Sequence, residues 1–72
     1  MHLDVQATYG LFTYNQFKNI WELHSVHKSK DDAKQKGSRI KEGLNVRVKV
    51  AYGRVLGIDF IYKNDKENVT EI

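Results

Sequence analysis

The 72-residue chain has no cysteine, no proline, one tryptophan and one methionine. Without cysteine there is no disulfide framework and no thiolate, whether as nucleophile or as metal ligand. The fold must then rest on packing alone, with a modest margin that association would widen. No apolar run approaches the ~18 residues that would span a bilayer, which excludes a transmembrane helix. The opening MHLDVQ lacks the basic region and apolar stretch of a secretory signal. A cytoplasmic location is the default expectation, and no membrane partner is implied. Repeats, low-complexity tracts and linkers are also missing. The expectation is a single small domain over residues 1–72, with 63–72 a polar tail that frays.

Chemistry-bearing patterns are equally scarce. No spacing matches a catalytic triad, a phosphate loop or a paired-carboxylate site, and a chain this short has little room for a pocket beyond its core. His24 and His27, with His2, are the only imidazoles. Their His-x-x-His spacing is not the i, i+4 pair of a helical zinc site, and no third ligand is evident. On a strand the two side chains would point to opposite faces. The glycines serve turns and close packing and form no phosphate-binding pattern. The reading is therefore a protein without enzymatic activity, metal or cofactor.

What the chain does have is polarity of charge. Between Lys28 and Arg54 nine basic residues face only Asp31, Asp32 and Glu42, a net of +6, while the remainder carries −3. A positive middle with acidic ends steers a protein toward an acidic partner, either nucleic acid or an acidic protein surface.

Asn45–Tyr62 reads as one β-hairpin. Val46, Val48, Val50 and Tyr52 alternate with Asn45, Arg47, Lys49 and Ala51, the period of a strand with one buried face. Leu56, Ile58, Phe60 and Tyr62 form a second apolar row. A two-residue turn at Gly53-Arg54 would put these rows on opposite faces. A three-residue loop or bulge near Tyr52–Val55 is expected instead, one such register placing Lys49 opposite Asp59. Upstream, Ser29–Leu44 is the clearest helix. Ser29 is the N-cap, Asp31 and Asp32 suit the positive end of the dipole, and Gly43 is the expected C′ residue. Ala33, Gly37, Ile40 and Leu44 make its narrow apolar face, flanked on both sides by lysine and arginine.

At the N-terminal end Leu3, Val5, Ala7 and Tyr9 alternate as a half-buried strand. The apolar phase then moves to Phe12 and Tyr14, through a bulge at Gly10 or because the strand ends there. Asn15–His27 fits either a helix, with Phe17, Ile20, Trp21 and His24 on one face, or a strand with Phe17, Trp21, Leu23 and Ser25 on one side. It contains no alanine, ends in poor helix formers, and nothing separates it from the next helix by a Gly or Pro turn, so strand is preferred. Val69 and Ile72 could add a short edge strand. Assembled, the fold class is α+β, a mainly antiparallel sheet with one helix on one face in the order ββαββ. The alternative is βααββ.

The candidate binding residues are Lys30, Lys34, Lys36, Arg39 and Lys41 on the helix, with Arg47, Lys49 and Arg54 on the hairpin, as phosphate or acidic-surface contacts. Phe12, Tyr14, Trp21, Tyr52, Phe60 and Tyr62 would supply stacking wherever they are exposed, although a small domain needs most of its aromatics for the core. The strand leading into a Ser-capped helix, SKDDAKQKGSRI, followed by a Val-rich hairpin ending in FIYKND, resembles small phage-encoded proteins, among them some anti-CRISPR inhibitors. The resemblance covers about residues 20–65 and is architectural. It implies a non-enzymatic protein that binds and blocks a host protein or nucleoprotein complex. Such inhibitors are often acidic mimics of nucleic acid, and the positive middle of this chain departs from that. The alternative is direct DNA or RNA binding by the same basic residues. Pairing of a sheet edge with itself or a partner, giving a homodimer in the first case, is a third option.

Overall fold

The computed structural model describes residues 8–57, 59–62 and 69–72. Two antiparallel strands open the fold, β1 (Thr8–Asn15) and β2 (Ile20–His27). Asn15 organises the turn between them: its side-chain oxygen accepts from the N–H groups of Phe17 (3.0 Å) and Lys18 (3.1 Å), and Asn19 closes the turn in the left-handed region at φ 55°. Asparagine tolerates both roles. Residues 20–27 are thus a strand, as their β-branched and aromatic content favours, and Phe17 is not part of it.

β1 runs through Gly10 without ending. The register break lies instead in β2, where His24 is an extra residue: Phe12 faces Leu23 while Leu11 faces Ser25. That bulge turns Ser25 away from the face shared by Trp21 and Leu23. The expected strand residues Leu3, Val5 and Ala7 lie outside the described residues.

Helix α1 (Lys30–Leu44) begins where Ser29 accepts a hydrogen bond from the Asp32 N–H at 3.1 Å. Its end differs from expectation. The helix passes through Gly43 to Leu44, and Asn45 is the left-handed cap (φ 54°), its N–H donating to the Lys41 carbonyl at 2.9 Å. Asparagine takes that conformation through its short polar side chain, so no glycine is needed there. Ala33 and Gly37 are buried and Ile40 packs beside them, but Leu44 is 66% exposed and drops out of the apolar face.

The helix returns the chain so that β3 (Val48–Leu56) pairs antiparallel with β1, from Thr8↔Gly53 to Thr13↔Val48. The far edge of β3 is shared by β4 (Asp59–Tyr62), opposite residues 53–56, and β5 (Val69–Glu71), opposite residues 49–51. The result is one antiparallel sheet, β2-β1-β3-β4 with β5 beside β3, and one helix. The order is ββαββ with an added edge strand, and the βααββ alternative fails. The tail's last residues are therefore paired, while 63–68 lie outside the described residues.

The turn of the second hairpin needs correction. Leu56 pairs with Asp59, so the chain reverses between these two residues, with Gly57 at φ 64°, and not near Tyr52–Val55. Lys49 faces Glu71 of β5 rather than Asp59. The expected register assumed that both apolar rows share a face. They do not. Leu11, Val48 and Val50 meet Ala33 under the helix, with Tyr9, Ile40, Val46 and Ile72 packed around them. Phe60 and Tyr62 pair with Val55 and Gly53 on the other face of the sheet. The phase change after Gly10 has the same origin: Tyr9 and Leu11 point to the helix, Phe12 and Tyr14 away from it.

Two glycines should respond to alanine with opposite signs. Gly43 has a helical setting with nothing near its missing Cβ, so Gly43→Ala should stabilise by about 0.5–1 kcal/mol. At Gly53 a Cβ would strike the Ile61 main-chain oxygen and meet the Phe60 ring at 2.8 Å, so Gly53→Ala should cost about 1–3 kcal/mol. Urea or thermal unfolding reads both. A loss of stability at residue 43 would return it to the left-handed C′ position.

Candidate functional site

The alternation of β3 decides where the charged side chains go. Val46, Val48 and Val50 face the helix, so Arg47 and Lys49 project from the opposite side of the sheet. Arg47 precedes β3, but the Tyr14 N–H donates to its carbonyl at 2.9 Å and continues the ladder with β1. The same face receives Phe12 and Tyr14 from β1, Trp21 from β2, Phe60 and Tyr62 from β4, and Glu71 from β5.

These side chains form a continuous cluster. Phe12 meets Phe60 edge-on at 5.2 Å between centroids and stacks on Tyr62 at 5.5 Å. Phe60 and Tyr62 are edge-to-face at 5.4 Å, and Tyr14 and Trp21 at 5.1 Å. Such pairs add about 0.5–1.5 kcal/mol each beyond their buried area. Gly10 and Gly53 lie beneath the Phe60 ring, where a Cβ on either would come within 2.8 Å of it. The role of Gly10 is this close approach.

The two cations stand among the rings. The Arg47 Cζ is 5.3 Å from the centroids of both Tyr14 and Trp21. The Lys49 Nζ is 4.6 Å from Trp21 and 5.4 Å from Phe12 and from Tyr62. Glu71 anchors Arg47 through a two-pronged bond, Nε to Oε2 and Nη2 to Oε1, each 2.7 Å. Partial burial among the rings pulls Lys49 below the ordinary lysine range; Glu71 opposes this, and Arg47 adds to it. The hydrogen bond from Arg47 holds the Glu71 carboxyl below its ordinary value, and Glu71 raises Arg47 in turn. Burial also raises the Tyr62 hydroxyl.

Phe12 is 4% exposed and forms the floor, Trp21 and Tyr14 are half-buried, and Tyr62 is 43% exposed. Leu23, Val26 and Val69 extend the apolar surface around them and are all substantially exposed. No element among the described residues covers this face. At its hairpin end Phe17 projects from the turn, 92% exposed, beside a depression bounded by Tyr14, Asn15, Gln16, Glu22 and Val46.

The eight basic residues singled out in the sequence do not form one surface. Lys30, Lys34, Lys36, Arg39 and Lys41 are exposed on α1, and Arg54 is exposed on the helix side of β3. Only Arg47 and Lys49 join the aromatic face, on the far side of the sheet from the helix. Lys41 is occupied locally, donating to the main-chain oxygen of Ile72 at 2.7 Å. Of the aromatics, Tyr52 belongs elsewhere: it packs on Tyr9 at 5.0 Å, on the helix side. Glu71 had no signal in the sequence, because its place depends on a three-residue strand far along the chain. The parity of Phe12 and Tyr14 relative to Arg47 and Lys49 was the readable clue.

His24 and His27 both reach the Ser25 hydroxyl, at 3.1 Å and 2.8 Å. Among the described residues no three His, Asp or Glu side chains are gathered as a metal site, and no helix is long and apolar enough to cross a membrane. Comparison with protein-family models, curated proteins and solved structures gives no match.

The Arg47–Glu71 bond should appear in acid titration. A carboxylate whose folded pKa is depressed contributes stability above its unfolded pKa and loses it as pH falls through the folded value. The Glu71 side-chain carbon, followed by NMR, should titrate below the ordinary glutamate range, and in Arg47→Ala it should move back up. The amides of Val69–Glu71 should lose exchange protection over the same acid interval. An unshifted Glu71 would mean that the pair does not hold in solution.

Proposed function

We propose that the protein is a non-enzymatic binding protein, encoded by a phage or mobile element, that docks on a host protein–nucleic-acid complex and inhibits or modulates it. The single observation behind this reading is the open sheet face, where aromatic rings surround Arg47 and Lys49 and no part of the described chain covers them. Tyr, Trp and Arg are the residues that dominate binding energy at recognition surfaces, and Lys49 is held in place by the rings beside it. The architectural resemblance to phage-encoded inhibitors supplies the host complex as target. The docking surface then moves from the basic helix to the opposite face.

A second reading keeps the helix as the contact. Lys30, Lys34, Lys36 and Arg39 are exposed along α1 and would suit direct, sequence-independent binding to phosphates.

The two readings separate in a capture experiment from host extract. Three baits are compared: wild type, a face variant (Trp21→Ala with Lys49→Glu) and a helix variant (Lys34→Glu with Arg39→Glu), each checked for folding by circular dichroism. The docking reading expects the same nucleoprotein complex on the wild-type and helix-variant baits and its loss, at least tenfold, on the face variant. Loss on the helix variant with retention on the face variant would contradict it and favour the helix.

A further inference from the structure

We infer that the open sheet face takes single-stranded nucleic acid, with bases stacked on Tyr14, Trp21 and Tyr62 and one or two phosphates on Lys49 and Arg47. This rests on the reading of that face as the docking surface and names which component of a nucleoprotein complex it meets.

The placement of the charges carries the argument. At a protein–protein interface the centre of the patch is depleted in lysine, although arginine is enriched there. Here a lysine, Lys49, stands partly buried among the rings, with Arg47 more exposed beside it. Lys49 is within 5.4 Å of three ring centroids and Arg47 within 5.3 Å of two. An apolar partner seated on the rings would strip water from Lys49 and return nothing to it. A nucleic-acid strand covers the rings with bases and brings a phosphate to each cation, so the same contact answers both demands. Glu71 leaves this intact, because it binds Arg47 from one side, fixes the guanidinium over Tyr14 and Trp21, and makes no hydrogen bond to Lys49.

Geometry selects single strands over duplex. The rings share one face of the sheet: Tyr14 and Trp21 on neighbouring strands, Tyr62 two strands beyond Tyr14, and Lys49 close to both Trp21 and Tyr62. Bases paired and stacked in a duplex present only edges to such a surface. Unpaired bases can be splayed onto it. Aromatic faces accept any base, so little sequence preference follows, and few phosphates are engaged, so the salt dependence is shallow.

Trp21, the only tryptophan, is the reporter. The full-length protein is titrated with ten-nucleotide pyrimidine DNA and RNA and with a hairpin duplex, at several salt concentrations. Single strands should quench Trp21, while duplex at the same concentration should not. The slope of log K against log salt should be about −0.7 to −1.4, the value for one or two phosphates on a single strand. Tyr62→Ala should weaken binding by about 5- to 150-fold, the range of one base–aromatic stack, and Lys34→Glu with Arg39→Glu should not change it. Absence of quenching by single strands at low salt overturns the inference. So does equal binding of duplex with a steep slope that the helix variant abolishes. If single strands fail while the face variant still loses the captured host complex, the docking reading stands and the ligand is a protein surface. If the helix variant loses the complex instead, both fall.

Discussion

Strand β3 is covered on both faces, and most of the architecture follows from that. Its even-numbered residues Val48 and Val50 are fully buried under α1. Its odd-numbered residues Lys49, Ala51 and Gly53 underlie the aromatic cluster. A central strand with two apolar surroundings cannot be read as one wet and one dry face. It also cannot slip by a residue without exchanging valines for a lysine in the core. Register, the position of the helix and the composition of the opposite face are therefore set together.

The helix side is built for close approach. Gly37 lets α1 settle onto the sheet, since a Cβ there would fall 3.0 Å from Leu11 and Val48 side-chain carbons and 2.6 Å from Ile72. Ile72 also donates its N–H to the Val48 carbonyl at 2.9 Å, so the C-terminal strand is tied to the core as well as to the sheet edge. The same strand delivers Glu71 to Arg47 on the other face. A three-residue strand thus links the core to the candidate site, and anything that loosens β5 disturbs both.

Local signals in the sequence were readable where they were strong. Ser29 with Asp31 and Asp32 marked the helix start. Within residues 15–27 the lack of alanine, the poor helix formers at the end and the missing Gly or Pro turn favoured a strand. The helix end was misplaced because Gly43 is a usual C′ residue, whereas Asn45, which holds the left-handed position, looked like the start of the next strand. The hairpin turn was misplaced for a different reason. The requirement that Val48 and Phe60 share a face is sound for a sheet with apolar side chains on one face and fails for a sheet that carries them on both. The alternation within β3 already set Arg47 and Lys49 apart from the helix lysines. Val69 and Ile72 suggested an edge strand, but the bulge at His24 and the register of β5 on β3 had no local signature. Both are set by long-range pairing that composition does not record.

The central claim is that α1 covers one face of the sheet while no other described element covers the aromatic face, with its cations among the rings. Solvent paramagnetic relaxation in NMR tests this most directly, using a neutral soluble gadolinium chelate. The account predicts strong relaxation of the ring protons of Tyr14, Trp21 and Tyr62, with the methyls of Leu11, Val48 and Val50 left almost unaffected. Rings as protected as those methyls, in the free protein, would mean that the face is already covered and would contradict the account.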